Sequence, residues 1–355
     1  MRTTPVAVLL ALSLAACGPA VPPEGAEGAA TTAPPPEAAA APPAVNTPPP
    51  QAEAPPKLSP EEEKKKAEQA ELAKDMAAME AAAKKEAERF DAALRAEGKA
   101  LAEASYPTMK AALTAAMKSR HRTPGDSDRD AFRHPIETLD FFGVKPTSTV
   151  LELGAGGGWY TELLAPALAK KGKLVVTGPD HAGPDTKRAT LYGKRLRRFL
   201  DKAPELYGKV EVIVLDPEDP KLPLDGTIDV IVAIREVHGW HGRGKLDAYL
   251  AQALKALKPG GVFGVVAHRA KPDANPDESV KKGYLPEPWL IKKVEAAGFK
   301  LAGKSEVNAN PKDTKDYPEG VWTLPPSFEL GDKDREKYAA IGESDRMTLK
   351  FTKPR

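Results

Sequence analysis

Apolar positions in this chain fall into short β-branched runs separated by stretches with helical spacing. The runs Thr149 to Leu153, Leu174 to Thr177, Val210 to Leu215, Ile228 to Ile234, Val262 to Ala267, Phe299 to Val307 and Met347 to Phe351 predict strands. Between them, Trp159 to Ala169, Thr186 to Leu200, Lys245 to Leu257 and Glu287 to Ala297 repeat apolar residues three and four apart and predict helices. Strands alternating with helices imply an α/β fold, a mostly parallel sheet covered on both faces. Ahead of the sheet, Ser59-Pro60-Glu61-Glu62 has the form of a helix start, with Ser59 as N-cap and Glu62 placed to complete a capping box. The stripe Leu72, Met76, Met79, Ala83, Ala87, Phe90, Leu94 and Leu101 then predicts one long charged helix over 59–105. Its mean spacing is nearer 3.6 than 3.5, which predicts a straight rod rather than a coiled coil. Roughly 45 residues at 1.5 Å each would reach about 65 Å, a rigid continuation of whatever precedes it. Tyr106-Pro107 ends that rod, and a second helix runs through Met109, Leu113 and Met117.

The first 58 residues follow neither pattern. Met1-Arg2 and the apolar run Val6 to Ala16 have the shape of a signal peptide over 1–16, too short to span a bilayer as a folded helix. Leu14-Ala15-Ala16-Cys17 resembles the bacterial lipobox, and Cys17 is the only cysteine of the 355 residues. That resemblance implies cleavage before Cys17 and lipidation of its sulfur. The chain would then be lipid-anchored in the bacterial cell envelope, facing the periplasm or the outer membrane. Over 17–58 the composition is Ala, Pro, Glu, Gly and Thr, too poor in large apolar groups to offset ordering entropy, so a disordered tether is expected. Its proline runs favour polyproline II, which at ~3.1 Å per residue would hold the folded part on the order of 100 Å from a membrane. With no thiol beyond Cys17, disulfides, cysteine–metal sites and thiolate catalysis are excluded from the folded part.

The densest chemical signal is Val150-Leu151-Glu152-Leu153-Gly154-Ala155-Gly156-Gly157-Gly158-Trp159-Tyr160, which reads as strand, glycine turn and helix start. A loop without Cβ atoms lets backbone approach a ligand and aims the free N–H groups of the helix start at it. The spacing is G-x-G-x-G. A dinucleotide fingerprint would need glycine at 159, where Trp159 stands. E-L-G-A-G-G-G-W-Y instead resembles the first motif of class I S-adenosylmethionine (SAM) dependent methyltransferases, and Leu257-Lys258-Pro259-Gly260-Gly261 resembles the turn before their fifth strand. The resemblance covers residues 106–355. It implies a Rossmann-like seven-stranded sheet of order 3-2-1-4-5-7-6 with the seventh strand antiparallel, and SAM as cofactor over Glu152, Gly154, Gly156 and Gly158. It also implies an acidic residue at the end of the second strand on the ribose hydroxyls. The nearest position is Gly178, with Asp180 two residues later. Asp216, directly after the third strand, matches the carboxylate that takes the adenine amine, with Asp219 as a competitor.

Open α/β sheets bind ligands beyond the carboxyl ends of their strands. That criterion selects His238 after the fourth strand and His268 after the fifth as candidate catalytic bases, with Trp240 and Arg269 beside them on the substrate side. His238 and His241 have metal-like spacing without a recognisable third ligand, so no metal is expected. The charged segment from Arg122 to Pro135 is read either as a solvated arm or as a lid. As a lid it would bring Arg129, Asp130, Arg133 and His134 over the cofactor, and its R-D-x-x-R-H-P run resembles the opening of a predicted family of exported methyltransferases. The proline-rich stretch from Asn310 to Pro326, with Trp322, is expected to form a substrate-side wall, with edge packing as the competing reading. The basic helix Thr186 to Leu200 has no aromatic interleaving and the chain's net charge is only +2, so nucleic acid is not expected as a partner and that helix face is read as solvated. Two functions follow. One is a lipid-anchored SAM-dependent methyltransferase with a small or envelope-associated acceptor; the other is a non-catalytic ligand-binding or scaffold lipoprotein on the same fold, because SAM is made in the cytoplasm.

Overall fold

The computed structural model describes residues 59–355. The expected signal peptide, Cys17 and tether lie outside the described residues. Seven strands form one sheet: β1 (Thr149–Leu153), β2 (Lys173–Gly178), β3 (Glu211–Val214), β4 (Ile228–Ile234), β5 (Leu257–His268), β6 (Lys300–Ser305) and β7 (Arg346–Thr352). Their order is β3-β2-β1-β4-β5-β7-β6. All neighbouring pairs from β3 to β5 are parallel, and β7 runs antiparallel to both β5 and β6. This is the Rossmann-like methyltransferase topology. The central strands are apolar without interruption because both faces are covered. Val150, Val176 and Val232 enter one core, while Leu151, Val175 and Ile231 enter the other. Glu152 is the exception, a carboxylate on the first face that is 6% exposed. The L-K-P-G-G segment is not a turn ahead of the fifth strand. It lies within β5, where Gly260 takes φ 78° and the register against β4 shifts between Ile228 and Val230.

The expected single rod over 59–105 is instead two helices, α1 (Pro60–Arg89) and α2 (Ala92–Glu103). The capping box at Ser59 is present. The break falls at Phe90, whose ψ of 72° leaves the helical region, and Asp91 restarts the chain by accepting from the Leu94 N–H at 2.7 Å. Neither helix stands apart as an extension. Phe90, Leu94 and Leu101 are buried in the same core as Val150 and Leu164, and Leu72 and Met79 pack on Leu191 of the helix Arg188–Asp201. The periodic stripe is therefore a buried seam, and the folded unit begins with α1 rather than at residue 106. The helix Arg188–Asp201 carries α1 on its basic face: Arg188 pairs with Asp75 at 2.8 Å, Arg198 with Glu80 at 2.9 Å, and Lys202, just beyond it, with Glu86 at 3.0 Å. The first two pairs are exposed and contribute little, while Lys202 is buried, so the apolar seam holds most of the contact and the charges set its register. The face expected to be solvated is thus largely a docking surface. A third helix, α3 (Met109–Lys118), completes this layer and buries Leu113 and Ala116. Among the described residues no helix is long and apolar enough to cross a membrane.

Candidate active site

Gly154, Gly156 and Gly158 all take positive φ, at 72°, 58° and 89°. Residues with a Cβ are disfavoured there, and each glycine has its own further reason. A Cβ at Gly158 would sit 2.6 Å from the Phe199 ring, and one at Gly154 would overlap the Glu236 carboxylate. At Gly156 it would meet only the Gly154 carbonyl, 3.9 Å away, so this position opens into the crevice. The loop is tied to β2 by the Gly154 N–H donating to Thr177 Oγ1 at 2.9 Å and the Ala155 N–H donating to the Thr177 carbonyl at 3.1 Å. The Gly156 and Gly157 N–H groups have no backbone acceptor, as a ligand cradle requires.

A cavity of about 450 Å³ lies over this loop, within the size range of small-molecule sites. Gly154, Gly156 and Glu236 form one end, and Leu196, Leu215 and Pro217 form an apolar slot at the other. Trp240 closes the slot, stacked on Tyr249 with ring centroids 4.4 Å apart. Trp240 therefore belongs to the cofactor side and not to the substrate side. Burial pushes the Glu236 carboxyl up to about 8, against the pull of Arg243 and Arg235. Burial likewise raises Glu152 to about 7, although Thr161 Oγ1 donates to it at 2.6 Å.

The residues fit a SAM-sized ligand at the glycine cradle and the apolar slot, and fail to match at the ribose. Asp180 is exposed and folds back to accept from the Ala182 N–H at 2.9 Å, outside the cavity wall. Gly178, at the expected acidic position, has no side chain, and a Cβ there would strike Leu196. No acid from this segment reaches the cavity. Asp216 stands on the rim between Leu215 and Pro217, exposed, with one oxygen taken by the Glu218 N–H at 2.9 Å. Asp219 is turned outward and paired with Lys221.

A second cavity of about 500 Å³ shares Gly154, Gly156 and Glu236 with the first, and Arg129, Arg133, Arg235 and His238 line it. The expected lid is fixed here by Trp159, the residue that replaces the dinucleotide glycine. Its Nε1 donates to the Asp126 carbonyl at 3.0 Å, and the guanidiniums of Arg133 and Arg122 lie 4.6 and 5.3 Å from its ring. Arg122 is further held by Asp130 at 2.6 Å and Glu162 at 2.9 Å. Asp130 is thus a brace of the lid and not a ligand group. His134 takes φ 39° at the corner between two short helices and does not line the cavity. Arg129 and Arg133 reach Glu343 at 3.0 and 3.2 Å, and Arg346 reaches it at 2.6 Å. Sequence reasoning missed Glu343 and Arg346: they pair with each other three positions apart, but their contacts to Arg129, Arg133 and the Phe132 carbonyl lie more than 200 positions away.

His238 is the histidine that faces the crevice. Burial, with Arg235 and Arg243 nearby, lowers it to about 4, so it is neutral at physiological pH, and its Nδ1 has no partner. Trp322 approaches it edge-on at 6.3 Å between centroids and is 36% exposed, but it lines neither cavity. Tyr317, from the same segment, packs away from the site against Tyr338 and Leu324. His268 lies behind His238, 5.4 Å away between ring centroids, and is only 3% exposed. Both of its ring nitrogens are occupied, Nδ1 by the Ser344 hydroxyl and Nε2 by Arg235 Nε at 3.3 Å. Burial holds it far below the usual histidine range. His268 therefore cannot take a proton from a substrate and serves to position Arg235. Arg269 is also off the site, bound to Glu287, Glu306 and Asp345 at 3.1, 2.6 and 2.9 Å. His241 turns away to lie against Trp289, 4.6 Å between centroids, so the two histidines of the metal-like spacing do not converge.

Residues 151–265 match the family described as a methyltransferase domain. No curated protein matches the chain. Solved structures that it resembles include a SAM-dependent methyltransferase from Aquifex aeolicus, at 19% identity and TM-score 0.42, covering 63% of this chain and 92% of that one. Another is the 1,6-didemethyltoxoflavin-N1-methyltransferase of Burkholderia thailandensis with bound S-adenosylhomocysteine, at 16% identity and TM-score 0.37, covering 64% and 80%. A glycopeptide N-methyltransferase complexed with S-adenosylhomocysteine is similar at 12% identity and TM-score 0.39, covering 62% and 87%. The strand order, the glycine cradle and the match over 151–265 together identify a Rossmann-like methyltransferase fold with a methyltransferase domain at its centre.

Proposed function

We propose that this chain is an active SAM-dependent methyltransferase of the bacterial envelope, lipid-anchored at Cys17, that methylates a small or envelope-associated acceptor. One observation carries the reading: the cofactor-side and acceptor-side cavities meet at Gly154, Gly156 and Glu236, at the carboxyl ends of β1 and β4. A transfer needs a donor pocket and an acceptor pocket with a common wall. When bound, SAM supplies an electrophilic methyl group. The chain's own work is positional. Gly156 lets backbone approach the donor, and the Trp240–Tyr249 stack with Leu215 grips an apolar ring. Trp159 and the arginines of the lid keep bulk water from the junction. His238, neutral and with a free nitrogen, accepts a hydrogen bond or a proton from the attacking group; its low pKa makes it a weak base, so alignment carries most of the catalysis.

A second reading is favoured by the missing ribose carboxylate: the fold holds a ligand other than SAM, without turning it over. Calorimetry of the full chain with SAM separates the two. Residues 59–105 must be kept, because removing them would strip Phe90, Leu94 and Leu101 from the core. Binding in the micromolar range supports the enzyme. Absence of binding at millimolar SAM would remove it.

A further inference from the structure

The acceptor-side cavity has a charge preference of its own, and reading it rests on the proposal that this cavity takes the methyl acceptor. Arg129, Arg133, Arg195 and Arg235 reach its wall, against the acids Asp126, Glu152 and Glu236. Burial raises all three acids, Glu152 to about 7 and Glu236 to about 8, so at neutral pH Glu236 is mostly uncharged and Glu152 about half charged, while Asp126 lies 3.9 Å from Arg129. Glu343 is one carboxylate shared among Arg129, Arg133 and Arg346. Three guanidiniums on one carboxylate leave a surplus of positive charge. Arg133 is 5% exposed and its Nη2 has no partner.

Arg195 is exposed, and of the three arginines set into the wall Arg235 alone has no carboxylate within ion-pair distance. Its only side-chain hydrogen bond runs from Nε to the ring of His268, which is neutral, so both Nη groups lack a protein acceptor among the described residues. It also takes φ 65°, a region that side-chain-bearing residues avoid, at the end of β4 where ligands bind. Arg235 is half-buried with its Nη donors open to the cavity, and a guanidinium fork with two free donors matches the two oxygens of a carboxylate or phosphate. We propose that the acceptor carries an oxyanion, a carboxylate or a phosphate, which Arg235 and Arg133 bind beside His238.

The test is calorimetry of the full chain with sodium acetate and with inorganic phosphate at constant ionic strength, with chloride as control, alongside SAM. Saturable binding of one or both oxyanions over chloride is expected, and Arg235→Gln should weaken it roughly ten- to a hundred-fold while SAM affinity changes less than about threefold. Arg235→Lys, which keeps the charge and loses the fork, should fall between. A preference for acetate or for phosphate identifies which oxyanion the acceptor carries. No binding beyond chloride by the parent protein overturns the inference, as does unchanged binding in a folded Arg235→Gln variant. The two proposals fail separately: SAM binding without oxyanion binding removes the anionic acceptor and leaves the methyltransferase, and the reverse leaves an anion site on a protein that is not one.

Discussion

The two halves of the crevice are built by different means. The cofactor half is walled mostly by backbone and apolar groups, with Gly154 and Gly156 supplying the cradle, Leu196, Leu215 and Pro217 the slot, and the Trp240–Tyr249 stack its closure. The acceptor half is assembled from Arg129 and Arg133, Arg235 and His238, Trp322, and Glu343 with Arg346, four segments joined only by the fold. Backbone sites depend on what is absent, a Cβ. Ion-pair sites depend on every partner being present, since a buried pair that loses one member leaves an uncompensated charge. The halves should therefore break differently.

The largest effect is expected at Glu343. Glu343→Gln leaves Arg129, Arg133 and Arg346 around a neutral amide, which should lower unfolding free energy by about 3–5 kcal/mol in urea denaturation. SAM affinity of the folded fraction should stay within about threefold. A loss below about 1 kcal/mol would mean that the arginines find solvent and the acceptor half is not sealed. Next comes Gly158→Ala, which places a methyl against the Phe199 ring at φ 89° and should cost about 2–4 kcal/mol of stability. Gly156→Val reverses the balance within the same loop. Its Cβ meets only open crevice, so the stability cost should be confined to the backbone strain of a branched residue at φ 58°, about 1–2 kcal/mol, while SAM binding falls roughly a hundred-fold, about 2.7 kcal/mol. If both glycine variants lose stability and binding in proportion, the loop serves packing alone.

This division also explains what could be read from the sequence. The strands and the glycine cradle were legible because β-branched runs and local glycine spacing encode them within a few residues, while the strand order came from the resemblance carried by E-L-G-A-G-G-G-W-Y and L-K-P-G-G. Charge density drew attention to Arg129 and Arg133, which line the second cavity, and a long loop to Trp322, which lies near His238. Asp180 and Arg269 were misplaced because a position beyond a strand end does not fix where a side chain turns; local backbone donors took Asp180 and three carboxylates took Arg269. His268 was selected by its place after β5, yet the antiparallel β7 beside it brings Ser344 and covers it. The break at Phe90 was hidden because an apolar residue at helical spacing gives no sign that it ends one helix and seats in a core shared with the next. Glu343 and Arg346 carry no pattern at all.

A smaller effect sharpens the electrostatic side of the comparison. Glu152 and Glu236 sit at about 7 and about 8 because burial disfavours their charged forms. A sulfonium or ammonium cation nearby favours the ionised carboxylates, so SAM affinity should rise, by up to about tenfold, as pH increases from 6 to 9. Below pH 7 both carboxyls are neutral and the attraction is lost. Binding at pH 7.5 should release protons, measurable by calorimetry in buffers of different ionisation enthalpy. A flat profile without proton release would place the cationic part of the ligand away from the junction of the two cavities.

The smallest effect is expected at Asp216, where the motif and the geometry disagree most. Asp216 follows β3 directly, as the adenine-binding carboxylate of the family pattern does, yet it is exposed on the rim and one of its oxygens already serves the Glu218 N–H. The wall behind it is Leu215, Pro217 and the Trp240–Tyr249 stack, so an adenine ring would be held by apolar contact and stacking rather than by charge. A hydrogen bond to a hydrated rim carboxylate exchanges one water contact for another, and Asp216→Asn should weaken SAM binding less than about threefold, below about 0.7 kcal/mol. Trp240→Ala in the same assay should cost far more, because it opens the slot itself. A loss of tenfold or more for Asp216→Asn, with Trp240→Ala no worse, would show that the rim closes over the ligand and that the charged contact outweighs the stack.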